Sequence, residues 1–344
     1  MRPVANPPNP WLSRHVELLG AAPPADLEVY EEEAKSIVSS NDSPDLAFRF
    51  SINPYRGCFH GCAYCYARPT HQYLGFGAGT DFERRIVVKT NAAALLDREL
   101  RRPKLRGEVL AFSGVTDCYQ PIEASYGLTR ACLEVCVRHR QAVGIVTKGA
   151  LVERDVDVLR QLTHAASACV FVSVPFADAE MARAIEPFAP GPERRLRTMA
   201  TLADAGIEVG VAVAPLIPGL NDDQVPAILA AAKAAGASRA FTVALRLPAE
   251  VKDVFLPRLR QAFPLRAGRV ESGVRALRDG AWNDARFGSR MQGSGERARV
   301  MAQLFTLQCR RLGLALRGEA TQTRPRPQQG LLFGDAARGA GSDP

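Results

Sequence analysis

No apolar run in this 344-residue chain approaches the length needed to cross a bilayer. Met1–Pro10 is proline-rich and lacks the apolar core of a secretory signal. The eight cysteines do not read as the disulfide framework of a secreted domain. Together these absences point to a cytoplasmic protein in a reducing compartment, with no membrane partner. The glycines of Arg286–Gly295 fit no phosphate-loop pattern. A fourth cysteine is missing beside Cys58, Cys62 and Cys65, since the next is Cys118.

That last absence gives the three cysteines their meaning. They lie in Asn53–Cys65, a stretch containing Gly57 and Gly61. Ordinary ferredoxin-type clusters and structural zinc sites both use four protein ligands. Three close thiolates form a tripod suited to a [4Fe-4S] cluster with one iron left open for a ligand. Two other readings stand beside it. The cysteines can be small core residues, or His60 or His71 can complete a zinc site.

Hydrophobic content of 47% suits a globular protein with a real core. The total charge is +8, unevenly placed. From Arg239 to Arg326, seventeen Arg and one Lys face seven acids, a net +11 that leaves −3 elsewhere. This is the footprint expected of a nucleic-acid partner, or of a solvated Arg-rich surface.

Strands and helices alternate along the middle of the chain. Strands are expected at 48–53, 108–113, 142–147, 169–174, 208–215 and 239–245. Helices are expected at 91–101, 129–139, 153–164, 193–205, 222–235 (capped by Asn221) and 255–263. Such alternation predicts a parallel sheet covered by helices, open or as a partial barrel. The cysteines follow the first strand, at the end where α/β proteins place chemistry. Past residue 264 the pattern breaks, with one further helix at 296–311.

Cys58-x-x-x-Cys62-x-x-Cys65 resembles the signature of the radical S-adenosylmethionine (SAM) enzymes. The wider string is Ser43-Pro44-Asp45, then Ile52-Asn53-Pro54-Tyr55-Arg56-Gly57-Cys58, then Tyr64-Cys65-Tyr66-Ala67-Arg68-Pro69-Thr70-His71. It is similar to an uncharacterised bacterial branch related to spore photoproduct lyase, over roughly residues 25 to 315. The resemblance implies a partial (β/α)6 TIM-like barrel over 47–264. A Pro-rich leader and packing segment over 1–46 precedes it. A basic extension over 265–317 and a disordered tail over 318–344 follow. It also implies a [4Fe-4S] cluster on Cys58, Cys62 and Cys65. Reductive cleavage of SAM there would give a 5′-deoxyadenosyl radical that takes hydrogen from a substrate.

The remaining site residues follow from strand ends and from the resemblance together. Tyr64 matches the position whose backbone lies near the adenine. Ser113, Gly114 and Thr116 sit where the family holds the SAM amino group, although the usual Gly-Gly-Glu is absent. Small residues there let an ammonium approach backbone carbonyls. Lys148, ending the third strand, is expected to pair with the SAM carboxylate. Ser173 is expected on the ribose or carboxylate. Glu186 and Arg195 form an ion pair or bind SAM polar groups. Ile217 lies in the segment that packs on adenine. Cys118 is a candidate hydrogen donor to a product radical, with Tyr119 as relay; the alternative is a buried loop thiol. Cys132, Cys136, Cys169 and Cys309 read as core.

DNA is the expected substrate, in lesion repair, and flavodoxin or ferredoxin the kind of electron donor. The peptide Gln329-Gly330-Leu331-Leu332-Phe333 is similar to motifs that bind the replication sliding clamp. The alternatives are a radical SAM enzyme acting on a small molecule or protein, and a non-catalytic iron–sulfur nucleic-acid-binding protein.

Overall fold

Short strands rich in valine, isoleucine and alanine build the central sheet. In the computed structural model they are β1 (Phe50–Ile52), β2 (Leu110–Phe112), β3 (Val143–Thr147), β4 (Ala168–Ser173), β5 (Glu208–Leu216) and β6 (Arg239–Ala244). Each pairs in parallel with the next. The described residues are 26–316, so the first part of the leader and the Gln329–Phe333 peptide lie outside them. Val38–Ser40 adds an antiparallel strand beyond β1, and Ala315–Leu316 adds a parallel one beyond β6. The eight-stranded sheet is open, a partial barrel rather than a closed one.

The helices between strands are α1 (Ala92–Leu100), α2 (Leu128–Arg138), α3 (Val156–Ala165), α4 (Pro192–Asp204), α5 (Val225–Ala234) and α6 (Val251–Ala262). Proline in the first turn of α4 and of α5 removes no helical hydrogen bond. The strands alternate in burial. In β3, Val143, Ile145 and Thr147 are buried while Gly144 and Val146 are partly exposed. In β4, Val170 and Val172 are buried while Cys169 and Phe171 are partly exposed. One face packs in the main core, which includes Leu133, Leu159 and Leu202 of the helices. The other lines a partly open concave surface, where Phe171 meets Phe241 edge to face at 5.0 Å. Gly210 leaves room for the Phe171 ring, which a β-carbon there would approach to 2.4 Å.

Two features differ from the sequence reading. The acidic segment after the leader forms a strand, Glu28–Glu32, parallel to Arg85–Lys89, which in turn pairs with Tyr55–Arg56. This small sheet carries the chain into the cysteine loop. Past residue 264 the chain also forms a helix that the sequence did not announce, beside the one expected at 296–311. α7 (Pro264–Ala276) packs on α6, and α8 (Gly295–Leu312) packs on α5 before the edge strand. Glycines at 268 and 273 hide α7 from a propensity reading.

Candidate iron–sulfur and ligand site

The cysteine loop is held by hydrogen bonds from distant segments. Gly57 has φ +76°, and a β-carbon there would lie 2.9 Å from the Arg85 carbonyl. The amides of Cys58 and Ala63 donate to Phe82 and Ile185 at 2.9 Å each. Gln120 accepts from the Phe59 amide at 2.9 Å and donates to the Gly57 carbonyl at 3.0 Å. Arg68 is fully buried. Its guanidinium donates to the carbonyls of Gly61, Cys62, Ala78 and Gly79, and to Glu83 at 2.6 Å.

Within this frame Cys58 and Cys62 are buried, Cys65 is partly so, and all three are free thiols. Burial pushes each thiol above its ordinary range. The charges of Cys62 and Cys65 also raise Cys58, while Lys148 draws Cys62 down. Among the described residues, no three His, Cys, Asp or Glu side chains converge as they would around a single ion. Spaced thiols that still feel one another's charge fit a cluster, in which each would bind a different iron. Among the described residues neither imidazole joins the thiols around a single ion. His60 Nδ1 faces Asp117 Oδ2 at 3.4 Å. The His71 ring lies 5.3 Å from Phe76 and 5.6 Å from Phe82, and neither of its nitrogens has a hydrogen bond of ordinary geometry.

Beside the thiols, six of the expected ligand residues come together. The Tyr64 hydroxyl donates to Glu186 Oε1. Lys148 Nζ lies 3.8 Å from the same oxygen and 5.7 Å from the Tyr64 ring centre. Arg195 donates to Glu186 Oε2 at 2.5 Å, to the Ser173 carbonyl at 2.9 Å and to the Pro190 carbonyl at 2.6 Å. Burial raises the Glu186 carboxyl, against the opposing charge and hydrogen bond of Arg195. Ile217 is buried in the same apolar group as Cys62, Tyr64 and Leu245.

Asp117 links this corner to the end of β2. It accepts from Thr147 Oγ1 at 2.6 Å and from the Lys148 amide at 2.7 Å. Burial alone would raise its pKa, but hydrogen bonds from His60, the Lys148 amide and Thr147 hold it well below the usual carboxylate range. Ser113 adopts φ +72°, and its hydroxyl accepts from the Cys118 amide at 2.9 Å. Gly114 packs against Ser51, where a β-carbon would lie 3.2 Å from Oγ. Thr116 is buried and donates to the Tyr55 carbonyl at 3.0 Å, so its hydroxyl fixes the loop to the small sheet.

Cys118 and Tyr119 are both buried, just past Asp117, whose backbone meets the Cys58 thiol. Cys118 lies in the main core with Cys132 and Cys136, and burial, with Asp117 and Glu123 nearby, raises its thiol. The Tyr119 hydroxyl donates to Asp155 at 3.1 Å, toward the helix layer. Asn221 is also not the cap expected of it. Its side chain accepts from the Ile217 amide at 2.6 Å and donates to the Pro175 carbonyl at 2.7 Å, tying the exits of β4 and β5.

A three-thiol iron–sulfur loop at the head of a parallel α/β sheet, with a cation at the end of β3 and a buried ion pair between the β4–α4 connection and α4, defines the class of this site. The chain belongs to the radical SAM superfamily, whose family model matches residues 52–232, just over half of it. That family uses a [4Fe-4S] cluster and SAM. An uncharacterised protein of Mycobacterium bovis is 38% identical over 221 residues, 64% of this chain and 65% of that protein. An uncharacterised protein of Methanocaldococcus jannaschii is 31% identical over 196 residues, 57% of this chain and 70% of that one. The match thus spans somewhat less than two thirds of the mycobacterial relative. Spore photoproduct lyase complexed with dinucleoside spore photoproduct shares the fold, with TM-score 0.61 and 16% identity over 84% of this chain and 81% of that one. No described helix is long and apolar enough to cross a membrane.

Proposed function

We propose that this protein is a radical SAM enzyme acting on nucleic acid in DNA lesion repair. The observation that carries the reading is the convergence of Lys148, Tyr64, Glu186 and Arg195 beside three free thiols, two buried and one partly so. Cys58, Cys62 and Cys65 would hold the cluster. When bound, the cluster and SAM supply a radical, by one-electron cleavage of a sulfonium bond, that takes a hydrogen atom from substrate.

The chain's own residues bind and orient. Lys148 keeps a cation at the end of β3 for the SAM carboxylate, held in place by Glu186. The left-handed turn at Ser113 presents the Ser113–Gly114 backbone, with no side chain at 114, to the SAM ammonium. Ile217 and the Tyr64 segment offer an apolar wall for adenine. Arg195 holds Glu186 and the Ser173 carbonyl, and so fixes the ribose side of the pocket. Thr116 positions this segment through Tyr55.

The nucleic-acid part rests on the basic stretch 239–326 and on the fold shared with a lyase seen with a dinucleoside lesion. The partners would be DNA and a small one-electron donor such as flavodoxin or ferredoxin. The described cysteines are all free, which supports the cytoplasm as the setting.

Anaerobic reconstitution of the full chain with iron, sulfide, SAM and dithionite tests the chemistry. The wild type should form 5′-deoxyadenosine, and Cys58→Ala should form none. Full SAM cleavage by Cys58→Ala would falsify the cluster assignment. Incubation with ultraviolet-irradiated DNA should consume a lesion; unchanged lesions would remove the repair reading and leave the radical chemistry standing.

A further inference from the structure

The structure holds a pair of arginines that its own carboxylates do not answer. Arg246 follows β6, at the mouth of the partial barrel, and Arg278 follows α7. Arg278 donates to the Leu245 carbonyl at 2.8 Å and to the Ser289 carbonyl at 2.9 Å. Arg246 has only the Met291 sulfur, at 3.6 Å. The Nε atoms of both are buried without a hydrogen-bond partner. Neither guanidinium makes an ion pair among the described residues, whereas neighbouring Arg290 is taken by Asp45 and Ser43 at 2.5 Å each. Burial and the charge of Arg290 lower Arg246 despite Asp45 nearby, and burial and the charge of Arg246 lower Arg278 despite Asp284. Arg278 is almost wholly buried and Arg246 half-buried, and a half-buried cation set against a second, buried one calls for an anion.

Two exposed aromatic rings lie close by. Tyr66 follows the last cysteine of the loop, is 51% exposed and donates to the Gly114 carbonyl at 2.5 Å. It lies near Arg246, whose cation it favours electrostatically. Phe287 is 58% exposed and lies under Arg290, 4.5 Å from its guanidinium carbon to the ring centre. Planar arginines suit phosphate, and exposed rings beside them suit stacked bases.

We propose that Arg246, backed by the buried cation of Arg278 and close to Tyr66 and Phe287, is a phosphate-binding site that holds the backbone of a single-stranded or flipped-out stretch of nucleic acid at the barrel mouth. This deepens the function proposed above and rests on it. A free phosphate ester shares the chemistry. The strand is favoured because exposed rings lie near Arg246 and beneath neighbouring Arg290, and the surrounding segment carries the chain's excess positive charge.

Fluorescence anisotropy of labelled decathymidylate with the reconstituted full chain, across a salt series, tests it. Arg246→Gln should weaken binding about tenfold and lower the log–log salt slope by about one. Arg246→Lys should keep the slope, and Arg286→Gln, whose arginine is paired with Asp284 at 3.0 Å, should change little. A methylphosphonate decathymidylate, with no backbone charge, should bind like the Arg246→Gln complex or worse. If circular dichroism shows Arg246→Gln unfolded, Phe287→Ala carries the test, with a loss of about tenfold expected from one stacked base. Equal binding by wild type and Arg246→Gln overturns the proposal, as does equal weakening by Arg286→Gln. Calorimetric binding of thymidine 5′-monophosphate without binding of the decathymidylate overturns the strand assignment, and binding of neither overturns the site. Failure of the radical reading appears separately, as absence of 5′-deoxyadenosine from wild type and SAM.

Discussion

Arg68 and Glu83 form a pair with almost no exposed surface directly behind the cysteine loop. Removing one partner leaves the other charge buried and unanswered, so Arg68→Met should cost about 3–5 kcal/mol in urea unfolding of the cluster-free chain. Adding Glu83→Gln should recover part of that loss; a double variant as unstable as the sum of the two singles would show that the pair is not coupled. His71 gives a pH signature. Burial lowers its pKa to about 4, outweighing the nearby Arg85 carbonyl and Asp81. The unfolded chain takes up the proton near the ordinary value of about 6.5, so stability is full above that pH and falls as pH drops toward 4. The loss attributable to this ring is roughly 3 kcal/mol. It should be absent from the difference curve of His71→Phe, and parallel curves for the two proteins would refute the assignment. The residues legible in the sequence were the three cysteines, Tyr64, Lys148 and Ser173, together with Glu186, Arg195 and Ile217. Arg68, Gln120 and Asp117 were not singled out, and Asn221 was read only as a helix cap. Gln120 works on Gly57 and Phe59, more than sixty positions away, and nothing in its local pattern marks that.

The six parallel strands and the helices between them were readable because each carries its own period of apolar residues. The Glu28–Glu32 strand was not, since it is acidic and mostly exposed and takes its shape from Arg85–Lys89. α7 was hidden by its glycines, and those glycines differ. A β-carbon at 268 meets nothing within 4 Å, whereas one at 273 would lie 3.0 Å from Pro218. Gly268→Ala should therefore raise stability by about 0.5–1 kcal/mol through helix propensity. Gly273→Ala should give no such gain, because Pro218 and Arg297 crowd the site. Urea midpoints at unchanged m-value read the difference. Equal stabilisation at both positions would mean that α7 does not pack on Pro218 as described.

At the scale of the molecule, an open sheet must keep its curl without pairing its two edges. The strands beyond β1 and β6 are only a few residues long and do not meet. The segment leading into β1 and the one beyond α7 meet through side chains instead. Asp45 accepts from Arg290 Nε at 2.5 Å and from the Gly288 amide at 2.6 Å, while Ser43 accepts from Arg290 at 2.5 Å. Ser43-Pro44-Asp45 stood out in the sequence as part of a motif, yet its partner lies about 245 positions away, beyond the reach of spacing or periodicity. This contact spans the gap that strand pairing leaves open, and it stands beside the free Arg246. Its loss should loosen the mouth while leaving the strand core intact. Asp45→Asn removes the charge from a largely buried acceptor and should cost about 1–3 kcal/mol. Hydrogen exchange should quicken at residues 41–46 and 286–292, with β3 to β5 unchanged. Arg290→Lys keeps the charge but not the planar fork, so it should recover less than half of that protection. Uniform quickening across the sheet would instead make Asp45 a contributor to global stability alone, and the two edges would then be held by backbone packing.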